Sequence, residues 1–161
     1  MQEIIRLLKS FTYAAKGILH CIKSERNLRI HLTFLTYMFS ILLSTDWFLL
    51  SRTDYAVLAV VSALVISAEI INTAVENAVN LASREHTEYG RIAKDAAAGA
   101  VLVAAVFAII TGLIIMLQPE AFKAMFAYFT AEPLMFILLL ISLIPAFLFI
   151  FWGNPFKGKK K

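Results

Sequence analysis

The sequence predicts an all-α, polytopic membrane protein: a helical bundle with an N-terminal amphipathic surface helix, three core spans and one appended C-terminal span. Its 161 residues are 60% hydrophobic, and the mean hydropathy is +0.78. Several apolar runs approach the roughly 20 residues that a helix needs to cross a bilayer. A chain this short and this apolar is not expected to be an ordinary soluble enzyme.

The N-terminal segment is amphipathic rather than membrane-spanning. Apolar side chains recur at helical spacing over residues 2–24, while Lys9, Lys16 and Lys23 lie on another face of the same helix. This pattern predicts a helix that lies along the cytoplasmic surface of the membrane. Together with the junction that follows it, this helix forms the first predicted unit, residues 1–30.

Four apolar runs are predicted to cross the membrane. They are Leu32–Leu50, Ala56–Leu81, Ala96–Leu117 and Leu134–Trp152. The first three belong to a predicted core, residues 31–117. Residues 118–161 add an outer amphipathic connector (Glu120–Glu132), the fourth span and a Lys-rich tail. The third span also carries small residues three or four apart, which predicts close helix packing within one subunit or between subunits; these are Ala97, Ala100, Ala104, Ala108 and Gly112.

The basic residues predict the orientation. With four spans, every Lys and Arg except Arg52 and Lys123 lies on one side of the membrane. The positive-inside rule therefore predicts that both termini and the 84–95 loop are cytoplasmic. The same asymmetry explains a pI of about 9.3, so no nucleic-acid partner is expected. The single cysteine, Cys21, excludes an intramolecular disulfide and is interpreted as a small buried side chain.

The second span carries polar side chains at membrane depth. At 100° per residue, one broad helix face takes Glu69, Asn72, Thr73, Glu76 and Asn80. A carboxylate inside the bilayer costs about 2.5 kcal/mol or more on insertion scales. This face is therefore a candidate functional site that binds a cation or moves a proton.

Three elements of the candidate site are predicted to meet at the cytoplasmic interface. Glu25 begins the first span, the acidic face ends the second, and Lys94-Asp95 begins the third. Carboxylates with an amide and a lysine suit Mg²⁺ and polyphosphate, and phosphoryl transfer needs positioning, charge neutralisation and a base. The segment Gly90–Lys94 is not a P-loop, so a familiar nucleotide-binding fold is not expected.

A small cation or proton transporter is the alternative interpretation. Acids on one face of a span are typical of such pathways. A transporter does not explain why Glu25 and Lys94-Asp95 lie on the same side. It should also have polar residues on the outer half of the spans, where the sequence offers only Asp46 and a few hydroxyl groups. A purely structural membrane protein is a weaker alternative, because Glu69 and Glu76 lack an equal number of buried cations.

Three segments together resemble the prokaryotic diacylglycerol kinase/undecaprenol kinase family: Glu25–Arg29, Glu69–Glu76 and Ala93–Ala96. The resemblance covers roughly residues 5–117. It implies a small lipid kinase of the bacterial inner membrane, a homotrimer with active sites shared between subunits. Its substrates would be ATP, with Mg²⁺ as the cofactor, and a membrane lipid alcohol, either undecaprenol or diacylglycerol. The residues of the first two segments resemble those of the undecaprenol-kinase branch more closely.

The resemblance also implies a role for each matching position. Glu25 and Glu76 match the acids that hold the metal ion, Glu69 matches the general base, and Asn72 matches a polar residue that organises the site. Lys94 matches the lysine that contacts the ATP phosphates, and Asp95 matches its polar neighbour. Lys16-Gly17 matches a pair on the surface helix, which helps to cover the site. This sequence departs from the family at Asn80, where Asp is common, and in residues 119–161, which lie outside the usual three-span core.

Overall fold

The structure, a computed structural model, describes residues 1–82 and 87–151. Within those two ranges the chain forms helices and no strands, which confirms the predicted all-α fold class. The helices are α1 (Gln2–Ser24), α2 (Arg26–Ser44), α3 (Arg52–Ala82), α4 (Glu88–Met116), α5 (Pro119–Ala131) and α6 (Pro133–Phe151).

Three helices in the described part of the chain, α3, α4 and α6, are long and apolar enough to cross a membrane. The predicted first span, Leu32–Leu50, is wrong in its bounds, because α2 begins at Arg26 and ends at Ser44. By length and composition α2 is not among the three candidates. Its first turns carry Arg26, Arg29 and His31, and these polar side chains offset the apolar run that follows.

The other predicted elements correspond to helices of the structure. The predicted surface segment is α1, and the predicted outer connector is α5. The second predicted run lies inside α3, and the third and fourth runs lie inside α4 and α6 except for one residue at their C-terminal ends. Arg84, Trp152 and the Lys-rich tail lie outside the described residues. The fold is therefore a helical membrane bundle, as predicted.

The segment between α2 and α3 ends the first predicted span early because other elements hold it in a non-helical conformation. The Leu49 amide donates to Oε1 of Gln118 at 3.0 Å, and Nε2 of Gln118 donates to the Leu49 carbonyl at 3.3 Å. At the start of α3, the Ser51 amide donates to Asp54 Oδ2 at 2.8 Å and the Asp54 amide donates to Ser51 Oγ at 3.2 Å. This reciprocal pair satisfies amides that the first turn of a helix leaves without partners.

The hydrophobic core lies at the same end of the bundle. It joins α2, α3, α5 and the α2–α3 segment through buried side chains of Met38, Leu42, Phe48, Leu58 and Ala121. The ring of Phe48 meets that of Phe122 edge to face, with centroids 5.8 Å apart. The appended α5 thus contributes to the core rather than lying apart from it.

Arg29 joins three helix ends at the opposite end of the bundle. Its side chain is buried and donates to the carbonyls of Ile22 and Lys23, in the last turn of α1, at 2.9 and 3.0 Å. Its Nε donates to the Ile150 carbonyl, in the last turn of α6, at 3.1 Å. Carbonyls at helix C-termini lack helical partners and carry partial negative charge, so a buried guanidinium suits them.

Helix α6 packs along α2, and a second polar contact fixes it there. The hydroxyl of Tyr37, on α2, donates to the Ser142 carbonyl on α6 at 2.8 Å. With the Arg29 contact, this hydrogen bond attaches the appended helix to the face of α2 at two levels.

Helices α3 and α4 form the most extensive helix pair. At Gly90 a side chain would meet Thr87 Oγ1 and Val79 Cγ1 at 3.0 Å, so the glycine permits a close approach there. By contrast, a side chain at Gly99 or Gly112 would meet nothing within 4 Å. Of the predicted small residues, Gly112 therefore makes no close contact within the described chain.

Candidate active site

Glu69 lies in the interior of α3 and is 2% exposed. Among the described residues, its Oε1 has no hydrogen-bond partner. The Thr73 hydroxyl donates to the Glu69 main-chain carbonyl at 3.0 Å and leaves the carboxylate unaffected. A buried carboxyl oxygen without a hydrogen-bond partner costs free energy, because it has lost its hydrogen bonds to water. A ligand or a proton that binds to the oxygen would remove this cost.

His31, on α2, is the ionisable neighbour of Glu69. Its Nε2 lies 3.6 Å from Glu69 Oε1, and 29% of its side chain is exposed against 3% for Glu69. The distance is just beyond a hydrogen bond. The sequence analysis did not include His31 in the site; the available signal was a histidine placed where an apolar run begins, six residues after Glu25.

Asn72 and Glu76 form a second polar pair on α3. Nδ2 of Asn72 donates to Glu76 Oε1 at 3.3 Å, as side chains four residues apart on a helix can. The Asn72 Oδ1 is buried and has no hydrogen-bond partner within residues 1–82 and 87–151. At 1.5 Å per residue, Glu76 lies about 10 Å nearer the helix end than Glu69.

Glu25 lies between α1 and α2, in extended backbone. Its charge acts on Cys21, whose thiol also shares a hydrogen bond with Thr73 of α3. Burial, opposed by that hydrogen bond and reinforced by Glu25, raises the pKa of Cys21. The last turn of α1, which precedes Glu25, therefore lies against Thr73 of α3, and Cys21 is buried as predicted.

Lys94 and Asp95, at the start of α4, have different partners. Nζ of Lys94 donates to Oδ1 of Asn80 on α3 at 2.7 Å. Asp95 accepts from Nη1 of Arg91 at 3.0 Å on the exposed side of α4. The structure thus connects Lys94 to the polar face of α3 through Asn80, and it pairs Asp95 with its own helix.

Lys16 and Gly17 lie on the exposed surface of α1. A side chain at Gly17 would meet nothing within 4 Å. The single chain brings neither residue against the polar face of α3, although the C-terminal turns of α1 do pack on α2 and α3.

An apolar cavity of about 520 Å³ runs beside this polar site. It lies between α2, α3 and α4, with His31 and Val65 toward the site and Phe122 toward the other end. Val65 precedes Glu69 by one helical turn, so the cavity ends next to the buried carboxylate. A volume of this size is in the range of small-molecule and lipid-chain sites.

The polar groups fit a hard divalent cation. Glu25 and Glu76 are carboxylates, and the buried Oδ1 of Asn72, which has no hydrogen-bond partner among the described residues, lies beside Glu76. Among the described residues, no three His, Cys, Asp or Glu side chains form a metal-binding group. Magnesium usually takes one or two carboxylates together with phosphate oxygens and water, so this donor set suits it.

Three described helices long and apolar enough to cross a membrane, with polar side chains toward one end of α3, define a helical membrane protein with a candidate site at one end of the bundle. The profile of prokaryotic diacylglycerol kinase matches residues 12–116. The chain belongs to that family. Helices α5 and α6 lie outside the matched residues.

Two relatives are each similar over about 70% of this chain. The diacylglycerol kinase of Synechocystis sp. is 41% identical over 114 residues, which are 70% of this chain and 63% of that protein. The undecaprenol kinase of Bacillus subtilis is 36% identical over 115 residues, 71% of this chain and 91% of that protein. The match to the Synechocystis protein therefore spans less than two thirds of its length. No solved structure matches the chain.

Proposed function

We propose that this protein is a membrane lipid kinase that transfers the γ-phosphate of ATP, with Mg²⁺, to the hydroxyl of undecaprenol or diacylglycerol. The observation that carries the proposal is the buried carboxyl group of Glu69, whose Oε1 has no hydrogen-bond partner among the described residues, next to an apolar cavity. A lipid chain in the cavity would present its hydroxyl to that carboxylate, and a base within hydrogen-bond reach is what such a transfer needs.

Glu69 is the general base in this proposal. Its carboxylate takes the proton of the lipid hydroxyl as the lipid oxygen attacks the γ-phosphorus and the bond to the β-phosphate oxygen breaks. Burial excludes water from the base, which favours transfer to the lipid over hydrolysis of ATP. Asn72 holds Glu76 with one amide atom and leaves the other free for a ligand.

Glu25, Glu76 and Lys94 bind the nucleotide in this proposal. The two acids would hold Mg²⁺, which when bound neutralises the phosphates and orients them. The Lys94 ammonium, now on Asn80, would turn to the phosphate oxygens, and Asp95 would support it from the same helix. Lys16 and Gly17 are exposed in the single chain and would roof the site only when nucleotide or a neighbouring subunit is present.

The setting is also part of the proposal. We propose a bacterial inner-membrane protein with both termini in the cytoplasm, because nearly all basic residues lie on that side of the predicted four-span topology, in which α2 crosses the membrane together with α3, α4 and α6. We also propose a homotrimer with shared sites, because Gly99 of α4 faces open space where a neighbouring helix could approach closely.

Transfer of radiolabelled γ-phosphate from Mg·ATP to lipid in detergent micelles tests the function. Undecaprenol and diacylglycerol are offered separately, and the ratio of rates identifies the preferred lipid. Glu76→Gln is expected to lose metal-dependent ATP binding and activity. Glu69→Gln should keep ATP binding but lower kcat by about 100-fold or more. Lys94→Ala should raise the apparent KM for ATP by roughly 10-fold, the effect of losing one charged hydrogen bond.

Glu120→Gln is the matched control for these variants. Glu120 is an exposed acid on α5 that pairs with Lys123, far from the polar face of α3, so full activity is expected. No labelled product on either lipid from folded wild-type protein would overturn the kinase proposal and favour the cation or proton transporter. Equal activity in the three site variants would overturn the assignment of residues.

A further inference from the structure

A base buried as deeply as Glu69 must lose its proton before the next turnover. Its side chain is 3% exposed, and water therefore has little direct access to the carboxyl group. The cavity beside it is lined mainly by apolar side chains, which cannot accept a proton. A proton taken from the lipid needs another group as its way out.

His31 is placed to be that group. Its Nε2 lies 3.6 Å from Glu69 Oε1, the oxygen that has no hydrogen-bond partner among the described residues. With 29% of its side chain exposed, the imidazole is far more accessible than the buried carboxyl group, and it lines the cavity beside that group. Closing the gap to a hydrogen bond takes a few tenths of an ångström, which side-chain rotation of the glutamate supplies.

No other titratable side chain in the described part of the chain is recorded within ion-pair or hydrogen-bond distance of this carboxylate. Cys21 comes near through Thr73, but the Thr73 hydroxyl donates to the main-chain carbonyl of Glu69 and not to its carboxylate. The Arg29 guanidinium donates its hydrogen bonds to carbonyls at the ends of α1 and α6 and not to this carboxylate. Among the described residues, His31 is therefore the titratable side chain found next to this carboxyl group.

We propose that His31 is a positioning and proton-relay residue for Glu69, an inference that rests on the proposed kinase function. The lipid O–H bond breaks and its proton goes to Glu69, while the lipid oxygen forms a bond to the γ-phosphorus and ADP leaves. The Glu69 proton then passes from Oε1 to the unprotonated Nε2 of His31. The imidazolium releases a proton to water, and both side chains return to their starting state. No oxidant, reductant or further co-reactant is needed.

The test compares His31→Gln and His31→Ala with wild type in the lipid phosphorylation assay. Glutamine reaches Glu69 with an amide that can hydrogen-bond but cannot take a proton at neutral pH. Both variants are expected to lose roughly 100-fold in kcat, the lower end of general acid–base contributions. The apparent KM for ATP should stay within about twofold of wild type, because His31 does not face the nucleotide groups.

Added imidazole separates a proton relay from a structural role. In His31→Ala the vacated volume next to the cavity can admit the free base, and imidazole is expected to restore at least a tenth of the wild-type kcat. Glutamine at this position should not respond, because it fills that space. His20→Gln, a change at an exposed histidine on α1, is the matched control and should keep full activity with or without imidazole.

The outcomes distinguish this inference from the proposed function. If wild type phosphorylates neither lipid, the kinase proposal fails and the relay fails with it. If wild type is active and His31→Gln is equally fast, the relay alone is wrong. Loss of kcat in His31→Ala that imidazole does not restore also overturns it, since the residue would then act through packing. Recovery by imidazole in the alanine variant alone supports the relay.

Discussion

Replacing Arg29 by alanine is expected to be among the most destabilising single changes in this chain. The guanidinium is buried and donates to three carbonyls at the ends of α1 and α6. Each hydrogen bond contributes about 1 kcal/mol net, and each carbonyl left without a partner costs on that order or more. Three such contacts give about 3 kcal/mol, and charge at the two helix C-termini adds a few tenths more.

This loss corresponds to a fall of roughly 6–12 °C in Tm, since about 1 kcal/mol shifts Tm by roughly 2–4 °C in a chain of this size. The assay is thermal unfolding of the detergent-solubilised protein, followed by intrinsic tryptophan fluorescence and by the fraction that remains monodisperse. Arg29→Lys should lie between wild type and Arg29→Ala, because a single ammonium cannot reach three carbonyls in the geometry of a planar fork.

Tyr37→Phe is the matched control for the Arg29 variants. It removes one hydroxyl from the same α2–α6 interface, where that group contacts both the carbonyl and the hydroxyl of Ser142, and a loss of about 1 kcal/mol is expected. A Tm for Arg29→Ala within about 2 °C of wild type would refute the reasoning. So would a larger loss from Tyr37→Phe than from Arg29→Ala, because the count of hydrogen bonds would then not govern the effect.

Three further changes are tested by thermal unfolding, kinetics and labelling. Gly90→Ala should cost about 1–3 kcal/mol through overpacking against Thr87 Oγ1 and Val79 Cγ1; a Tm equal to that of wild type would contradict this. Asn80→Asp should raise the KM for ATP about twofold, since an exposed ion pair to Lys94 is worth about 0.5 kcal/mol; a tenfold change would contradict it. Because burial raises the pKa of Cys21, maleimide should label it slowly at pH 8 and rapidly after unfolding in SDS; equal rates would contradict burial.

Much of the fold could be predicted because it depends on local pattern. Period-3.6 polarity identified α1, and the prolines at 119 and 133 begin helices α5 and α6. The bounds of the first span could not be predicted, because they depend on Gln118, which reaches back from a distant part of the chain to hold Leu49. A hydropathy pattern depends only on neighbouring residues, so it detects the apolar run but not the distant side chain that ends the helix.

The candidate site divides in the same way. Helical spacing put Glu69, Asn72 and Glu76 on one face, and the Asn72–Glu76 hydrogen bond agrees with that spacing. The contact of His31 with Glu69 crosses between two helices, so no periodicity within either helix could reveal it. The sequence predicted only a topological role for Arg29, as one of the basic residues on the cytoplasmic side. Its structural role could not be predicted, because its hydrogen-bond partners are main-chain carbonyls, which any residue provides.

The way α4 is attached has a consequence for how a lipid could enter. Among the described residues, α4 packs along α3, and α2 also packs on α3, but α2 and α4 form no helix pair of their own. The cavity occupies the gap between them. A long-chain lipid could therefore slide sideways from the bilayer between α2 and α4 and leave every helix pair in place. Such a doorway would let a lipid arrive and depart within the plane of the membrane, without its chain ever passing through water.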